Sequence, residues 1–216
     1  MTSIPVRALL AGQVQPFGRG EGSAIAKTPL DGPVEIGVLG IVGDEQADQR
    51  HHGGPDKALH HYPFDHYARW ADLAPDHPLL SAPGAFGENL STLGLDETTV
   101  CLGDRFRLGR ALIEISQARE PCWKQGDRMA WTTLPKIMVR EGRSGWYCRV
   151  IEAGTAQAGD LLTLVDRPYP AWSVRRVFDL IIGGKHIDDP IGLKELSENP
   201  VLFSGWRDKA RRLIGG

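Results

Sequence analysis

Short alternating apolar runs, each closed by turn residues, constrain the fold of this chain more than any other feature. Of its 216 residues, 26 are glycine and 15 are proline, an excess that suits many turns between short strands and argues against a helical bundle. The clearest unit, residues 100–116, has alternating segments on both sides of Gly109-Arg110 and predicts a β-hairpin with one buried face. Further strands are expected at 146–151 and 161–165. Because no β-α alternation accompanies these runs, they indicate a closed or partly closed β-barrel.

Helical patterns interrupt the strands twice and then dominate the end of the chain. Apolar spacing and an early proline predict helices over residues 64–73 and 134–141. Beyond residue 170 three more short helices are expected; they cover 174–182, 193–198 and 206–213. We therefore predict two domains, a barrel over residues 1–168 and a three-helix domain over 169–216 that must dock on the barrel to be stable.

Charge and cysteine spacing exclude several classes of protein. The formal net charge is −2, so no global basic field would attract a nucleic acid polymer. No apolar stretch approaches the ~18 residues of a membrane span, and the N-terminal apolar run is too short for the core of a signal peptide. The three cysteines are too widely spaced for a disulfide framework or a C-x-x-C metal site. A reducing cytoplasm is the expected compartment.

Four of the seven histidines fall within eleven residues, on either side of Gly53-Gly54. Imidazole suits Zn, Cu and Fe, but these histidines form adjacent pairs at 51–52 and 60–61, and neighbours on a strand point to opposite faces. The spacing therefore favours structural histidines over a metal site made by protein ligands alone. An anion-binding loop is better supported, because Gly53-Gly54 exposes backbone N–H groups and Lys57 adds a charge for a phosphate.

A carboxylate and an amide stand side by side at Glu88-Asn89, close to Gly84 and Gly87. A carboxylate and an amide together can hydrogen-bond the donor and acceptor groups on the edge of a flat heterocycle. The alternative is an Asx-type turn before a strand, which is the commoner use of such a sequence.

Cys122 lies in a loop directly after the best-defined strand, with Arg119 and Lys124 on either side. Nearby cations favour the thiolate, which attacks carbon or sulfur or binds a soft metal. The alternative is a buried cysteine that behaves as a small hydrophobic residue, and the apolar surroundings of Cys101 and Cys148 fit that alternative well. For Cys122 the residues leave both interpretations open.

Together these motifs resemble the MOSC family, named for the C-terminal domain of molybdenum-cofactor sulfurase, and within it the YiiM-type branch, whose known member reduces 6-hydroxylaminopurine. The tail resembles the three-helix C-terminal domain of that branch. Ala118 departs from the family's usual proline, and Gln125-Gly126 departs from its usual Leu-Asn. The matching pieces stand in family order between residues 20 and 165; they are SAIAK at 23–27, GDEQAD at 43–48, HGGPDKA at 52–58, HYP at 61–63, FGENL at 86–90, GD at 103–104, Arg119 with Pro121-Cys122, and GWY at 145–147.

The resemblance implies a mainly β fold with α-helices, in which a MOSC-type β-barrel, similar to the barrel of pyruvate kinase, precedes a small C-terminal three-helix domain. It also implies a molybdenum cofactor of the molybdopterin type. Cys122 would be the protein ligand of molybdenum and Asn89 a cofactor contact, while other matching positions would line the pterin or its phosphate. With Glu88 added, the candidate cofactor-binding residues are Ser23, His52, Lys57, Glu88, Asn89 and Arg119.

The implied reaction removes oxygen from a small N-hydroxylated compound, such as an N-hydroxylated purine base, and the protein supplies ligation, orientation and proton donors. His52 is the candidate proton donor, because a histidine changes charge near neutral pH. The sequence has no G-x-G-x-x-G motif and no clustered cysteines for an iron–sulfur centre. Electrons are therefore expected from a separate reductase or ferredoxin-like protein. The tail, with eight basic and six acidic residues, is the candidate docking surface.

Two other functions stay open at this point. Cys122 could carry a persulfide, which would make the chain a sulfur carrier in metal–sulfur assembly. The chain could also be a non-enzymatic molybdopterin-binding module. A thiol hydrolase fits less well, because the one histidine that follows Cys122 is His186, in the tail.

Overall fold

The structure is a computed structural model that describes residues 3–48 and 53–215. In chain order, the strands are β1 (Ser3–Ala11), β2 (Gln15–Pro16), β3 (Gly22–Ser23), β4 (Thr28–Pro29), β5 (Val34–Gly37), β6 (Gly40–Ile41), β7 (Leu59–Pro63), β8 (Leu90–Thr92), β9 (Arg105–Leu108), β10 (Ala111–Ala118), β11 (Trp146–Glu152), β12 (Gly154–Ala156) and β13 (Leu161–Asp166). The helices are α1 (Asp65–Leu73), α2 (Trp123–Arg128), α3 (Leu134–Glu141), α4 (Val174–Ile181), α5 (Pro190–Glu198) and α6 (Ser204–Gly215). Short 3-10 turns lie at Gly18–Gly20, Pro55–Lys57, Pro78–Leu80 and Lys185–Ile187.

Seven of these strands close into a barrel, which confirms the predicted architecture. The strands follow the order β13-β9-β10-β11-β7-β8-β1, and β1 pairs back with β13 to complete the circle. Neighbouring barrel strands are antiparallel except β7 and β8, which are parallel. A smaller sheet contains β12, β5 and β6. A two-residue turn joins β9 to β10, whereas helices lie between β7 and β8 and between β10 and β11.

The predicted hairpin is formed by β9 and β10, which pair antiparallel around Gly109. A side chain at Gly109, where φ is +55°, would clash with the Thr155 carbonyl oxygen, so this turn requires glycine. The prediction of one buried face is correct for β9 but wrong for β10, every residue of which is buried. The tail covers the outer face of β10, and Phe203 N donates to Ser116 O over 3.0 Å. The alternation of apolar and polar residues within a strand cannot reveal that a distant segment covers its outer face.

Three helices form the tail, and α1 and α3 confirm the two internal helices. Ser173 caps α4 by accepting from Arg176 N at 3.2 Å. Helix α5 begins earlier than predicted, because Asp189 caps it directly before Pro190. Side chains of all three tail helices share one apolar core with the barrel; they include Phe178, Leu196 and Trp206. The tail therefore completes the barrel core, and the boundary at residue 168 stays a prediction. No helix in the described part of the chain is long and apolar enough to cross a membrane.

The adjacent histidines of β7 point to opposite sides of the barrel wall, as the alternation of a strand requires. His61 packs on Trp146, with 4.4 Å between ring centres, and its Nε2 lies 2.8 Å from Thr92 Oγ1. Since Trp146 belongs to the barrel core, His61 faces inward. His60 faces the outer side, where it lines a cavity.

Stability should depend on the protonation of His61. Burial lowers the pKa of His61 to about 3, far below the value of ~6.5 in an unfolded chain. Between these values the unfolded chain binds more protons, so stability should fall as the pH falls below about 6.5, by on the order of 2 kcal/mol at pH 5. Urea denaturation at pH 7 and pH 5 should show a smaller loss for His61→Gln than for the wild type. His186→Gln is the matched control, and equal losses in all three proteins would contradict the prediction.

Candidate functional site

A cavity opens on the outer side of the barrel wall, where β10, β11 and β7 are neighbours. Tyr147 and His60 are register partners on β11 and β7, and both line the cavity. Trp146 and Cys148, on either side of Tyr147, belong to the barrel core instead. Loops complete the walls with residues from 23–27, 44–48, 86–89 and 119–124. With its open mouth, the cavity includes about 570 Å³ of space free of protein atoms, part of which is open to solvent.

Most of the predicted site residues meet at this cavity. Those that line it are Ser23, Lys57, Asn89, Arg119 and Cys122. They come from separate stretches of the chain, so the barrel fold brings them together. Glu88 is not part of the lining, and His52 lies outside the described residues. The contacts of these residues with a ligand stay predictions.

Arg119 is a buried guanidinium beside the Cys122 thiol. The residue is 4% exposed, and its Nη2 lies 4.0 Å from Cys122 Sγ. Burial opposes its charge, but Tyr147 and Cys122 offset this effect and raise the pKa of Arg119. The Nε and Nη1 atoms have no hydrogen-bond partner among the described residues. A buried cation is costly unless it is compensated, and a hydrogen bond with the Tyr147 side chain contributes to that compensation.

Cys122 is half-buried at the start of α2, and its backbone N donates to Gln125 Oε1 over 3.3 Å. Cys101 and Cys148 are buried, and burial raises the pKa of both thiols. Both therefore confirm the prediction that they act as small hydrophobic residues. Within residues 3–48 and 53–215, no group of three or more His, Cys, Asp and Glu side chains could hold a metal ion. Cys122 is the cysteine that lines the cavity, and a thiolate there suits a soft metal.

Cationic side chains stand close to the cysteine loop. Lys124 lines the cavity, and its Nζ donates to Gly22 O over 3.0 Å. Lys57 comes shortly after Gly54, whose φ of +90° lets the chain turn there. The Lys57 Nζ atom lies 4.7 Å from the centre of the Phe203 ring. Burial lowers the pKa of Lys57. Because segment 44–48 also contributes acidic residues, the lining is mixed in charge.

Asn89 braces the cavity wall through contacts within the protein. Its Nδ2 donates to Asp44 Oδ2 at 2.8 Å and to Leu10 O at 3.1 Å, and its Oδ1 accepts from His60 N at 3.1 Å. Asp44 also pairs with Lys27, and burial lowers the pKa of Lys27 while Asp44 opposes that shift. Lys27 and Asp44 also line the cavity, although they are not among the predicted site residues. Both stood inside the matching motifs, but nothing in their residue types marked them as partners.

The position of the Glu88 carboxylate differs from the predicted one. The residue is fully buried, and its carboxylate accepts from Gly84 N at 2.7 Å, from Phe86 N at 3.1 Å and from the Tyr67 hydroxyl. These bonds hold the loop that carries Phe86 and Gly87 into the cavity lining. The predicted presentation of the Glu88 carboxylate to a ligand is therefore wrong for this structure. Its contacts satisfy the buried N–H groups of a tight turn, as the turn alternative expects.

Comparisons with known proteins agree with these features. The family model named MOSC domain matches residues 48–163. The chain is 46% identical over 156 residues to Protein YiiM of Escherichia coli (strain K12), a match that covers 72% of this chain and 70% of that protein. It is 44% identical to a protein of Gibberella moniliformis named reductase, over 72% of this chain but only 28% of that protein. The crystal structure of YiiM from Geobacillus stearothermophilus superposes with a TM-score of 0.83 at 31% identity, and the match covers 98% of this chain and 99% of that chain.

Proposed function

This chain belongs to the MOSC domain family, and on that premise we propose that it is a molybdenum-cofactor-dependent reductase that removes oxygen from small N-hydroxylated compounds. The observation that carries the proposal is the pairing of Cys122 with Arg119 in one cavity, where Nη2 of the buried guanidinium lies 4.0 Å from the Cys122 Sγ atom. The reductase name of the fungal relative also supports a reductive reaction, although this chain matches only 28% of that protein.

The residues of the cavity fit a molybdopterin-type cofactor. Cys122 offers a soft sulfur donor for molybdenum. Arg119 places a buried positive charge beside Cys122, and Lys57 and Ser23 lie in the same lining, so these three residues would hold the phosphate and the polar edge of the pterin. When bound, the cofactor supplies two-electron redox chemistry that side chains cannot provide.

The protein's own part in the reaction is to bind, to orient and to supply protons. Conversion of an N–OH group to N–H with release of water consumes two electrons and two protons. We propose His52 as one proton donor, on the sequence argument alone. Lys27 Nζ is a second candidate, because it lines the cavity and burial lowers its pKa, which makes the ammonium a better acid.

The test is an assay of protein purified from a host that makes the cofactor. With a chemical electron donor, the protein should convert 6-hydroxylaminopurine to the amine. Protein that contains molybdenum and pterin but gives no conversion would contradict the proposal. In that case, a persulfide on Cys122 would favour the sulfur carrier, and a thiol without persulfide would favour the non-enzymatic binding module.

We further propose that electrons come from a separate reductase or ferredoxin-like protein in the cytoplasm. The free thiols of all three cysteines support a reducing compartment. Deletion of the tail cannot isolate a docking surface, because the tail helices share the barrel core. Substitutions of exposed tail residues are the better tool.

Charge reversal on the tail should slow partner-dependent turnover. Lys194→Glu combined with Arg212→Glu changes two exposed positions on α5 and α6, and loss of complementary charge should lower the rate with an acidic carrier about 10-fold at low salt. Turnover driven by NADPH, an NADPH-dependent reductase and a ferredoxin-type carrier is measured against turnover with a chemical donor. Glu195→Lys with Glu198→Lys is the matched control, which should not slow the carrier-driven rate. Equal rates for wild type and the Lys194/Arg212 variant with the carrier would contradict tail docking.

A further inference from the structure

Gln125 is a fully buried polar side chain at a position where the MOSC family usually has leucine. It is the third residue of α2, and Cys122 stands directly before that helix as its N-cap. A Glu or Gln at the third position of a helix can reach back to the backbone N–H of the N-cap residue. Gln125 is therefore placed to hold the cysteine that we propose as the molybdenum ligand.

Gln125 binds both backbone polar groups of Cys122. Cys122 N donates to Gln125 Oε1 over 3.3 Å, and Gln125 N donates to Cys122 O over 3.2 Å. On the other side of the cysteine, Pro121 has a fixed φ. With the backbone of Cys122 held in this way, the sulfur atom moves mainly by rotation about χ1, which has three staggered positions. Gln125 thus restricts where the sulfur lies in the cavity.

The other end of the Gln125 amide contacts a second loop of the cavity. Its Nε2 donates to Phe86 O over 3.5 Å, and Phe86 and Cys122 both line the cavity. Arg128, also on α2, adds to this connection, because its Nε donates to Ala85 O over 3.2 Å. One buried side chain therefore joins the loop of the cysteine to the loop of Phe86.

We propose that Gln125 is a positioning residue, which orients the Cys122 sulfur in the metal site. An apolar side chain would fill the same buried position without the cost of burying an amide, and the bonds that Gln125 makes go to the cysteine and to the cavity wall. The inference rests on the proposed function, because it takes Cys122 as the ligand of molybdenum. Loss of a group that orients a metal ligand typically lowers metal affinity about 10–100-fold.

The test compares Gln125→Met, which has a side chain of similar length without the hydrogen-bonding groups, with Gln125→Glu, which keeps the acceptor for Cys122 N. Amide hydrogen exchange at Cys122 is measured by NMR on the cofactor-free full chain, and molybdenum content on protein from a cofactor-competent host. In Gln125→Met the Cys122 amide should exchange about 10-fold faster, the value of one hydrogen bond, and molybdenum content should fall about 10-fold. Gln125→Glu should recover most of both losses.

Gln117→Met is the matched control, since it makes the same change at a second buried glutamine, whose Oε1 has no hydrogen-bond partner among the described residues. It should leave both readouts unchanged. In Gln125→Met, exchange at Cys122 or molybdenum content within about twofold of wild type would overturn the inference, and so would equal losses in the two Gln125 variants.

If Gln125→Met does not fold, Gln125→Leu replaces it in the same comparison. Wild-type protein without molybdenum is a different result, which would contradict the proposed function. Exchange at the Cys122 amide, measured without cofactor, would still decide whether Gln125 holds the cysteine.

Discussion

Cys122→Ala should lower reduction of N-hydroxylated substrates at least about 100-fold, because it removes a proposed metal ligand, and even second-shell changes at metal sites cost 10–100-fold. No other described cysteine can replace it. Cys148 lies in the barrel core and Cys101 is buried away from the cavity. The rate is measured with a chemical electron donor, so that the result does not depend on a protein partner.

Two further variants distinguish the chemical role of the Cys122 sulfur from a structural role of residue 122. Cys122→Ser keeps a small polar residue at the start of α2 but removes the soft donor, and it should be nearly as inactive as the alanine variant. Cys101→Ala is the matched control and should keep wild-type turnover. Activity of Cys122→Ser within about threefold of wild type would show that the sulfur atom is not required. Loss of a metal ligand should instead lower the activity ~100-fold.

Glu97→Ala should cost about 3–5 kcal/mol of stability, the typical range for loss of one partner in a buried charged network. Glu97 is 3% exposed, and its carboxylate accepts from Ser144 N at 2.9 Å, from Gly145 N at 2.7 Å and from His66 Nε2 at 2.7 Å. Alanine leaves these donors buried without a partner. Chemical denaturation monitored by tryptophan fluorescence measures the change.

The same substitution should disturb the cavity, because the turn held by Glu97 also holds Arg119. Ser144 Oγ donates to Arg119 O at 2.6 Å, and Arg119 N donates to Gly145 O at 3.0 Å. Glu195→Ala, at an exposed tail position, is the control and should change stability by less than about 0.5 kcal/mol. A Glu97→Ala protein as stable as this control would contradict the role assigned to the carboxylate.

Local rules of sequence predicted the elements of the fold well. The turn at Gly109 and the cap at Ser173 both act within a few residues, so the hairpin and α4 could be placed from the sequence. Burial of the outer face of β10 could not, because it depends on Phe203, far along the chain. Docking of the tail on the barrel was predicted from the small size of the tail, but the residues that form their shared core could not be, because they lie far apart along the chain.

The candidate site was predicted in part for a similar reason. Arg119 and Cys122 lie within one loop, and their cationic setting is visible in the sequence. His60 becomes a site residue only because the register of β7 and β11 sets it beside Tyr147. Glu88 shows the converse, since its carboxylate, next to Asn89, turns inward to satisfy the backbone N–H groups of the turn that the commoner interpretation of this sequence expects.

The most direct test of the proposed cofactor site is the molybdenum and pterin content of wild-type and Cys122→Ala protein purified in parallel from a cofactor-competent host. Wild-type protein should contain molybdenum with pterin, and the variant should lose most of its molybdenum, because Cys122 is the proposed ligand. Equal molybdenum content in the two proteins would contradict the assignment of Cys122 as that ligand.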